Sequence, residues 1–214
     1  MYNKVKLQEV LPEDIEKRSF EIISKEIGDR KLDPLQAPII KRAIHTSADF
    51  DYLENLVFSP GAVEKAMEAV LMGATIVTDT QMAWSGINKK AVEKFGGRAV
   101  CFMADEDVGK AAQAAGTTRA VASMKKAASL SGPLIFAVGN APTALAALYE
   151  MIQEGRLKPE LIIGVPVGFV NVVEAKELIL QTDVPYIVAR GRKGGSNIAA
   201  AICNAILYQC GGRD

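Results

Sequence analysis

A chain of 214 residues, 49% hydrophobic and 23% charged, has the balance of a folded α/β protein of one large domain or two small ones, which excludes a disordered chain. Lysine plus arginine equals aspartate plus glutamate at 25 each, so overall charge draws the chain to neither nucleic acid nor membrane, and any anion site has to be local. The three cysteines, Cys101, Cys203 and Cys210, lack metal-ligand spacing and suit a reducing compartment. Met1-Tyr2-Asn3-Lys4-Val5-Lys6 has no apolar stretch behind it and does not read as a signal peptide. No uncharged apolar run reaches the roughly 20 residues that span a bilayer. The expected location is the cytoplasm, without a membrane or nucleic-acid partner.

Taken in order, Leu11-Pro12-Glu13-Asp14-Ile15 opens a helix, with proline and acids where a helix N-terminus favours them, and Gly28 stops it. Arg18 and Ser19 lie on this helix, where the plain reading is a solvated cation and a small packing residue. Asp33-Pro34 reads as N-cap and first helical residue of a second helix, whose apolar stripe Leu35, Ile39, Ile40 and Ile44 ends at His45. Ser59-Pro60 is expected to cap a third, stopped by Gly73.

From there a rhythm takes over. Thr75-Ile76-Val77-Thr78, Ala99 to Met103, Leu134 to Val138, Leu161 to Val165 and Tyr186 to Ala189 are short apolar runs rich in β-branched residues. Helical patterns separate them, among them Ala141 to Gln153, Val172 to Leu180 and Asn197 to Tyr208. Continuous apolar strands alternating with helices predict a mainly parallel sheet of about five strands with helices on both faces, preceded by the N-terminal helices. With no linker, composition break or repeat, residues 1–214 read as a single domain.

His45 is the only histidine, and imidazole is the side chain whose ordinary pKa lies near neutrality. Arg42 three residues before it and Asp49 four after it share its face if the segment is helical. Ser47 to Asp51 is polar and leaves the helix on this reading. His45 then sits near a helix C-terminus, where the dipole favours the imidazolium by about 0.3–1 kcal/mol. A capping histidine would look the same.

Ligands of open parallel sheets bind beyond the strand carboxyl ends. Arg190-Gly191-Arg192-Lys193-Gly194-Gly195-Ser196 places three cations and three glycines between a strand and a helix, a pattern that suits carboxylate or phosphate. It matches neither the P-loop nor the dinucleotide fingerprint, so no nucleotide is specifically implied. Gly139-Asn140-Ala141-Pro142-Thr143 is a tight turn that lets a flat group approach backbone, or simply good turn chemistry. Thr117-Thr118-Arg119 opens another helix with one of the threonines as N-cap, and Arg119 points to the same cleft or to solvent. A hydrolase serine in a G-x-S-x-G elbow is missing, one histidine with scattered carboxylates is a weak metal set, and Cys101 is expected inside a buried strand.

Arg18-Ser19-Phe20, Arg42-Ala43-Ile44-His45-Thr46, Phe58-Ser59, Gly139-Asn140-Ala141-Pro142-Thr143-Ala144-Leu145, Pro166-Val167-Gly168-Phe169-Val170 and Gly191-Arg192-Lys193-Gly194-Gly195-Ser196 together resemble the precorrin-8X methylmutase family of the corrin (vitamin B12) pathway. The resemblance runs from residue 18 to the last helix. It implies a Rossmann-like sheet, a homodimer, and an isomerase that moves a methyl group from ring carbon eleven to carbon twelve of a tetrapyrrole-derived polycarboxylate. The product is hydrogenobyrinate, or cobyrinate where cobalt is already inserted. His45 falls on the family's proton donor and acceptor, and Ser19 and Arg42 fall on substrate-binding positions. The family's Thr-Arg-Ser string stands here as Thr118-Arg119-Ala120, which keeps the arginine and loses a hydroxyl.

The residues themselves fit a flat, carboxylate-edged ring: Gly139, Asn140, Gly191, Gly194 and Ser196 in the small-residue turns, and Arg42, Arg119, Arg192 and Lys193 at the rim. No cofactor or metal site is expected in the protein; cobalt, if present, belongs to the substrate, and the His45-to-Asp51 run resembles the cobalt-dependent branch. Two other readings share these residues: a tetrapyrrole carrier without catalysis, and a phosphate- or nucleotide-binding α/β enzyme using the Arg190–Ser196 loop.

Overall fold

The computed structural model describes residues 11–212; the Met1–Lys6 segment read above lies outside them. A 3₁₀ turn, Pro12–Asp14, leads into α1 (Ile15–Ile27), which stops at Gly28 with φ 67°. Next come α2 (Ala37–Ser47), α3 (Tyr52–Asn55), β1 (Leu56–Phe58) and α4 (Ala62–Leu71). Strands and helices then alternate: β2 (Thr75–Thr78), α5 (Gln81–Gly86), α6 (Lys89–Lys94), β3 (Arg98–Val100), α7 (Glu106–Ala114), α8 (Arg119–Ala127) and β4 (Leu134–Val138). The chain closes with α9 (Pro142–Gln153), β5 (Leu161–Gly164), α10 (Val172–Ile179), β6 (Tyr186–Ala189) and α11 (Ser196–Gln209).

The strands form one sheet in the order β1-β6-β5-β4-β2-β3. All pairs from β3 to β6 are parallel, as the alternation of apolar runs and helices predicts, while β1 pairs antiparallel to β6. The sheet thus has six strands rather than about five. The extra strand is three residues long, too short to show a pattern of its own, and it is held by its neighbour: the Tyr186 N–H donates to Ser59 Oγ at 2.9 Å. That use of Ser59 also corrects its expected capping role, since α4 starts after Gly61. At the start of α2, Asp33 Oδ1 instead caps a turn, accepting the N–H groups of Leu35 (2.9 Å) and Gln36 (3.1 Å), and the helix proper begins at Ala37. Strand β3 ends at Val100, which leaves Cys101 half-buried beyond the strand rather than inside it.

Side chains alternate across the sheet with the period of two that strands impose. Ile135 and Ala137 of β4 face a core shared with α2, α4 and α11, whereas Leu134, Phe136 and Val138 face one shared with α8, α9 and α10. Helix α11 is almost wholly buried, with four alanines and three isoleucines at full or near-full burial. Such a helix fits only where small residues let neighbours close in, and α2 and α5 pack against it. The chain runs from β2 outward to β3 and then back across to β4, so the strand order reverses between β2 and β4. In such sheets that gap opens a crevice beyond the strand ends.

The crevice is packed tightly. An added Cβ at Gly139, just past β4, would meet Ser196 Cα at 2.7 Å and the Gly195 oxygen at 2.9 Å. Gly139→Ala is therefore expected to lower stability by about 1–3 kcal/mol by forcing the turn off the start of α11. Urea unfolding of the two proteins measures this, and an unchanged midpoint would contradict the close packing.

Candidate active site

The end of β2 organises the loops around it. Asp79 is fully buried, and its carboxylate accepts three backbone N–H groups: Gly139 to Oδ1 at 2.8 Å, and Asn140 and Ala141 to Oδ2 at 2.8 and 2.6 Å. Burial pushes its pKa up, against the three amide bonds that pull it down. Next to it, Thr80 Oγ1 lies 2.8 Å from Ser196 Oγ and accepts the Ala83 N–H that starts α5. One dipeptide thus holds the Gly139–Ala141 turn, the N-terminus of α11 and α5.

The Arg190–Ser196 loop has its own buried anchor. Lys176, on α10, is fully buried, and its Nζ donates to the carbonyls of Gly191 and Lys193, both at 2.8 Å. Desolvation lowers its pKa to about 8. A Cβ at Gly194 would overlap the Val165 carbonyl, so that position takes only glycine. The loop's cations are not equivalent. Arg190 makes a two-pronged pair with Glu177 (3.0 and 2.8 Å), and Lys193 bridges Asp49 and Asp51 at 2.7 and 2.6 Å. Arg192 is exposed, lies 5.5 Å from the centroid of Phe169 and has no carboxylate partner among the described residues.

His45 stands in the last turn of α2, exposed, with its ring stacked on Phe20 at 5.1 Å between centroids and 20° between planes. The Arg42 guanidinium is held between the rings of Phe20 and Tyr208, 5.1 Å from each centroid, and pairs with Glu16 at 2.6 Å. A cavity of about 220 Å³ opens beside them, lined by Arg42, His45, Thr46, Gly86 and the first turns of α11 (Asn197, Ala200, Ala201, Asn204). A larger one, about 460 Å³, lies on the other side of Arg42 between α1, α2 and α11. The smaller matters more for chemistry because it alone of the two is lined by the imidazole.

The structure brings Arg42 and His45 together, and joins Gly139 to Ser196 and Lys193 to the end of α2. Asn140 and Arg192 are exposed on the same edge of the sheet. Asp49 lies beyond the helix end, bonded to Lys193 and the Asp51 N–H, so it does not continue the helical face of His45 as the spacing allowed. Those bonds, above all the one from Lys193, hold its carboxyl below the usual range. The Ser19 hydroxyl is turned back to the Ile15 carbonyl at 2.9 Å. Arg119 stands at the first position of α8, after the Thr118 cap, and its guanidinium donates to the Met103 carbonyl at 3.1 Å, outside the His45 cavity. Thr118 touches Thr143 at 3.1 Å, which places that helix start beside the Gly139 turn.

Sequence reading places Asp79 and Thr80 at a strand end without giving them a role, and misses Lys176 and the aromatic bracket of Arg42. One signal was available: Val172, Ala175, Lys176 and Ile179 share a helical face, so a lysine occupies a core position. Among the described residues no group of three or more His, Cys, Asp or Glu is placed to hold a metal ion.

Polar loops gathered beyond the ends of a doubly wound parallel sheet, with an exposed histidine and a bracketed arginine at a cavity, have the form of a small-molecule site in an α/β enzyme. The model of the precorrin-8X methylmutase family matches residues 14–209. Cobalt-precorrin-8 methylmutase of Salmonella typhimurium is 46% identical over 92% of this chain and 95% of its own, and that of Priestia megaterium 45% over 92% and 88%. The crystal structure of precorrin-8X methylmutase from Thermus thermophilus, 40% identical, superposes with a TM-score of 0.84 over 92% of this chain and 98% of its own. The chain belongs to the precorrin-8X methylmutase family and is an isomerase, an intramolecular transferase of cobalamin biosynthesis.

Lys176 makes stability depend on pH in a defined direction. Its folded pKa of about 8 lies below the ordinary 10.5. Between those values the unfolded chain holds a proton that the folded chain has released, so this group raises stability as pH rises from 8 to 10.5, by at most about 3 kcal/mol. Lys176→Met is expected to flatten that part of the profile. Equal slopes for both proteins in denaturant titrations would contradict the buried ammonium.

Proposed function

We propose that this chain, working as one domain of a cytoplasmic homodimer, converts cobalt-precorrin-8 to cobyrinate by moving a methyl group from ring carbon eleven to carbon twelve. The observation that carries the reading is the sole histidine, exposed on a helix end and flanked by Phe20 and Arg42 at a cavity. The cobalt form of the substrate is favoured because relatives at 45 and 46% identity are named for it, whereas the Pseudomonas aeruginosa relative named for precorrin-8X is 37% identical over 78% of this chain.

In this reading His45, as imidazolium, donates a proton or a hydrogen bond to the conjugated ring. Electron density is drawn from the acceptor carbon, the bond from the methyl to carbon eleven breaks as the bond to carbon twelve forms, and the proton returns to His45. Substrate and product are isomers, so no co-reactant is consumed. General acid catalysis of this kind is worth about 10²–10⁴-fold. Arg192 meets rim carboxylates, Arg42, Lys193 and Arg119 do so once drawn from their present partners, and Asn140 offers a side-chain amide. Gly139, Gly191, Gly194 and Ser196 shape the backbone the ring approaches, and Ser19 joins the binding set when its hydroxyl turns outward.

The His45 cavity is smaller than the roughly 300–1,000 Å³ of a site that encloses a drug-sized ligand, so it takes one edge of the ring. Leu11, Ile15 and Ile22 are exposed apolar side chains at and along α1, a surface that suits a second copy of the chain. No helix among the described residues is long and apolar enough to cross a membrane.

His45→Ala is expected to lower kcat by about 10²–10⁴-fold with stability unchanged, read from the product's absorption spectrum. Undiminished turnover would remove His45 from the chemistry. Cobalt-containing and metal-free precorrin-8, offered side by side, test the substrate: faster turnover of the metal-free form would reverse the assignment.

A further inference from the structure

Lys176 is a charged side chain with no solvent exposure, and none of the chemistry above uses it. Burying an ammonium is costly, so such a group persists where it holds something. Its Nζ bonds the carbonyls of Gly191 and Lys193, and the carbonyl between them, that of Arg192, accepts the Gly168 N–H at 3.1 Å. Two residues on, the Gly195 N–H donates to the Val165 carbonyl at 2.8 Å. Three successive carbonyl dipoles of the loop are thereby turned into the protein.

This matters for a ligand edged with carboxylates. An exposed carbonyl presents negative charge and would repel a carboxylate, whereas a carbonyl bonded inward leaves the outer side of the loop to its cations. With Arg190 paired to Glu177 and Lys193 to Asp49 and Asp51, Arg192 is the exposed loop cation without a carboxylate partner among the described residues. We propose that Lys176 is a positioning residue for substrate binding: its ammonium fixes the Gly191–Lys193 backbone so that the loop offers Arg192, and not its carbonyl oxygens, to the carboxylates of the substrate. It acts through the loop without touching the substrate. The proposal rests on the polycarboxylate reading above.

Two measurements on the full chain separate the outcomes. In Lys176→Met, amide exchange of residues 190–196 is expected to quicken about tenfold or more as the anchored backbone opens. KM for cobalt-precorrin-8 is expected to rise about tenfold, with kcat within threefold of wild type. Lys176→Gln keeps a neutral donor that reaches one carbonyl; it should recover part of both effects, and it stands in if the methionine variant does not fold. Unchanged loop exchange overturns the proposal whatever the activity. Quickened exchange with an unchanged KM in an active enzyme overturns the link to binding. A wild-type protein inactive on the macrocycle sinks the assigned reaction, while quickened exchange in that case still supports the anchoring of the loop.

Discussion

A single carboxylate, that of Asp79, sets the geometry on which the rest of the ligand edge depends. It sits where β2 ends and the strand order reverses, the place where a parallel sheet leaves a crevice. Taking a carboxylate out of water costs several kcal/mol. No cation among the described residues meets it; three backbone amides do, each a charge-assisted bond worth about 1.5–3 kcal/mol. The two amounts are of similar size, which is why the group contributes shape more than stability. The Gly139–Ala141 turn has little freedom left, because moving any of its amides away would leave a buried charge short of a partner.

The turn's rigidity then passes to α11. Gly139 packs directly on Gly195 and Ser196, and Thr80 bonds the Ser196 hydroxyl. Asn197, one residue further, already lines the cavity of His45, and α11 also supports α2, on which Arg42 and His45 stand. A chain of packed backbone thus runs from a buried aspartate to His45 without a flexible loop between them. Lys176 does for the cationic loop what Asp79 does for the turn, with the sign reversed: an ammonium holding carbonyls instead of a carboxylate holding amides. Both put the charge beneath the backbone and leave the outer side of the loop exposed.

Much of this was legible in the sequence, and the gaps have physical causes. Five strands were readable because each is a continuous apolar run, whereas β1 is three residues whose pairing is fixed by β6 and by Ser59, partners far away in sequence. His45 and Arg42 were readable from spacing on one helix, and Gly139 and the Arg190–Ser196 loop from their composition. What spacing could not show is commitment to distant partners. Lys193 read as a rim cation and is paired to Asp49 and Asp51; Asp49 read as a neighbour of the imidazole and is drawn to that lysine. Arg42 read as a substrate ligand, and its bracket of Phe20, Tyr208 and Glu16 comes from three separate segments. Asp79 was visible as a residue at a strand end, but its role depends on a turn 60 residues on.

The pre-paired cations bear on how a polyanion is received. With charges balanced at 25 of each sign, a set of bare arginines and lysines at one edge would repel one another and collect stray anions. Here Arg42 holds Glu16, and Lys193 holds two aspartates, all in partly or largely exposed pairs. Exposed pairs are worth little, about 0–1 kcal/mol, so a carboxylate of the ligand can replace the protein's own at small cost. The replacement keeps each cation in its folded position, because Phe20 and Tyr208 hold Arg42, and the anchored loop holds Lys193, independently of the acid partner. On the function proposed above, the site is therefore formed before the substrate arrives, and selectivity for a multiply charged ring follows from several weak pairs exchanged together rather than from one strong one.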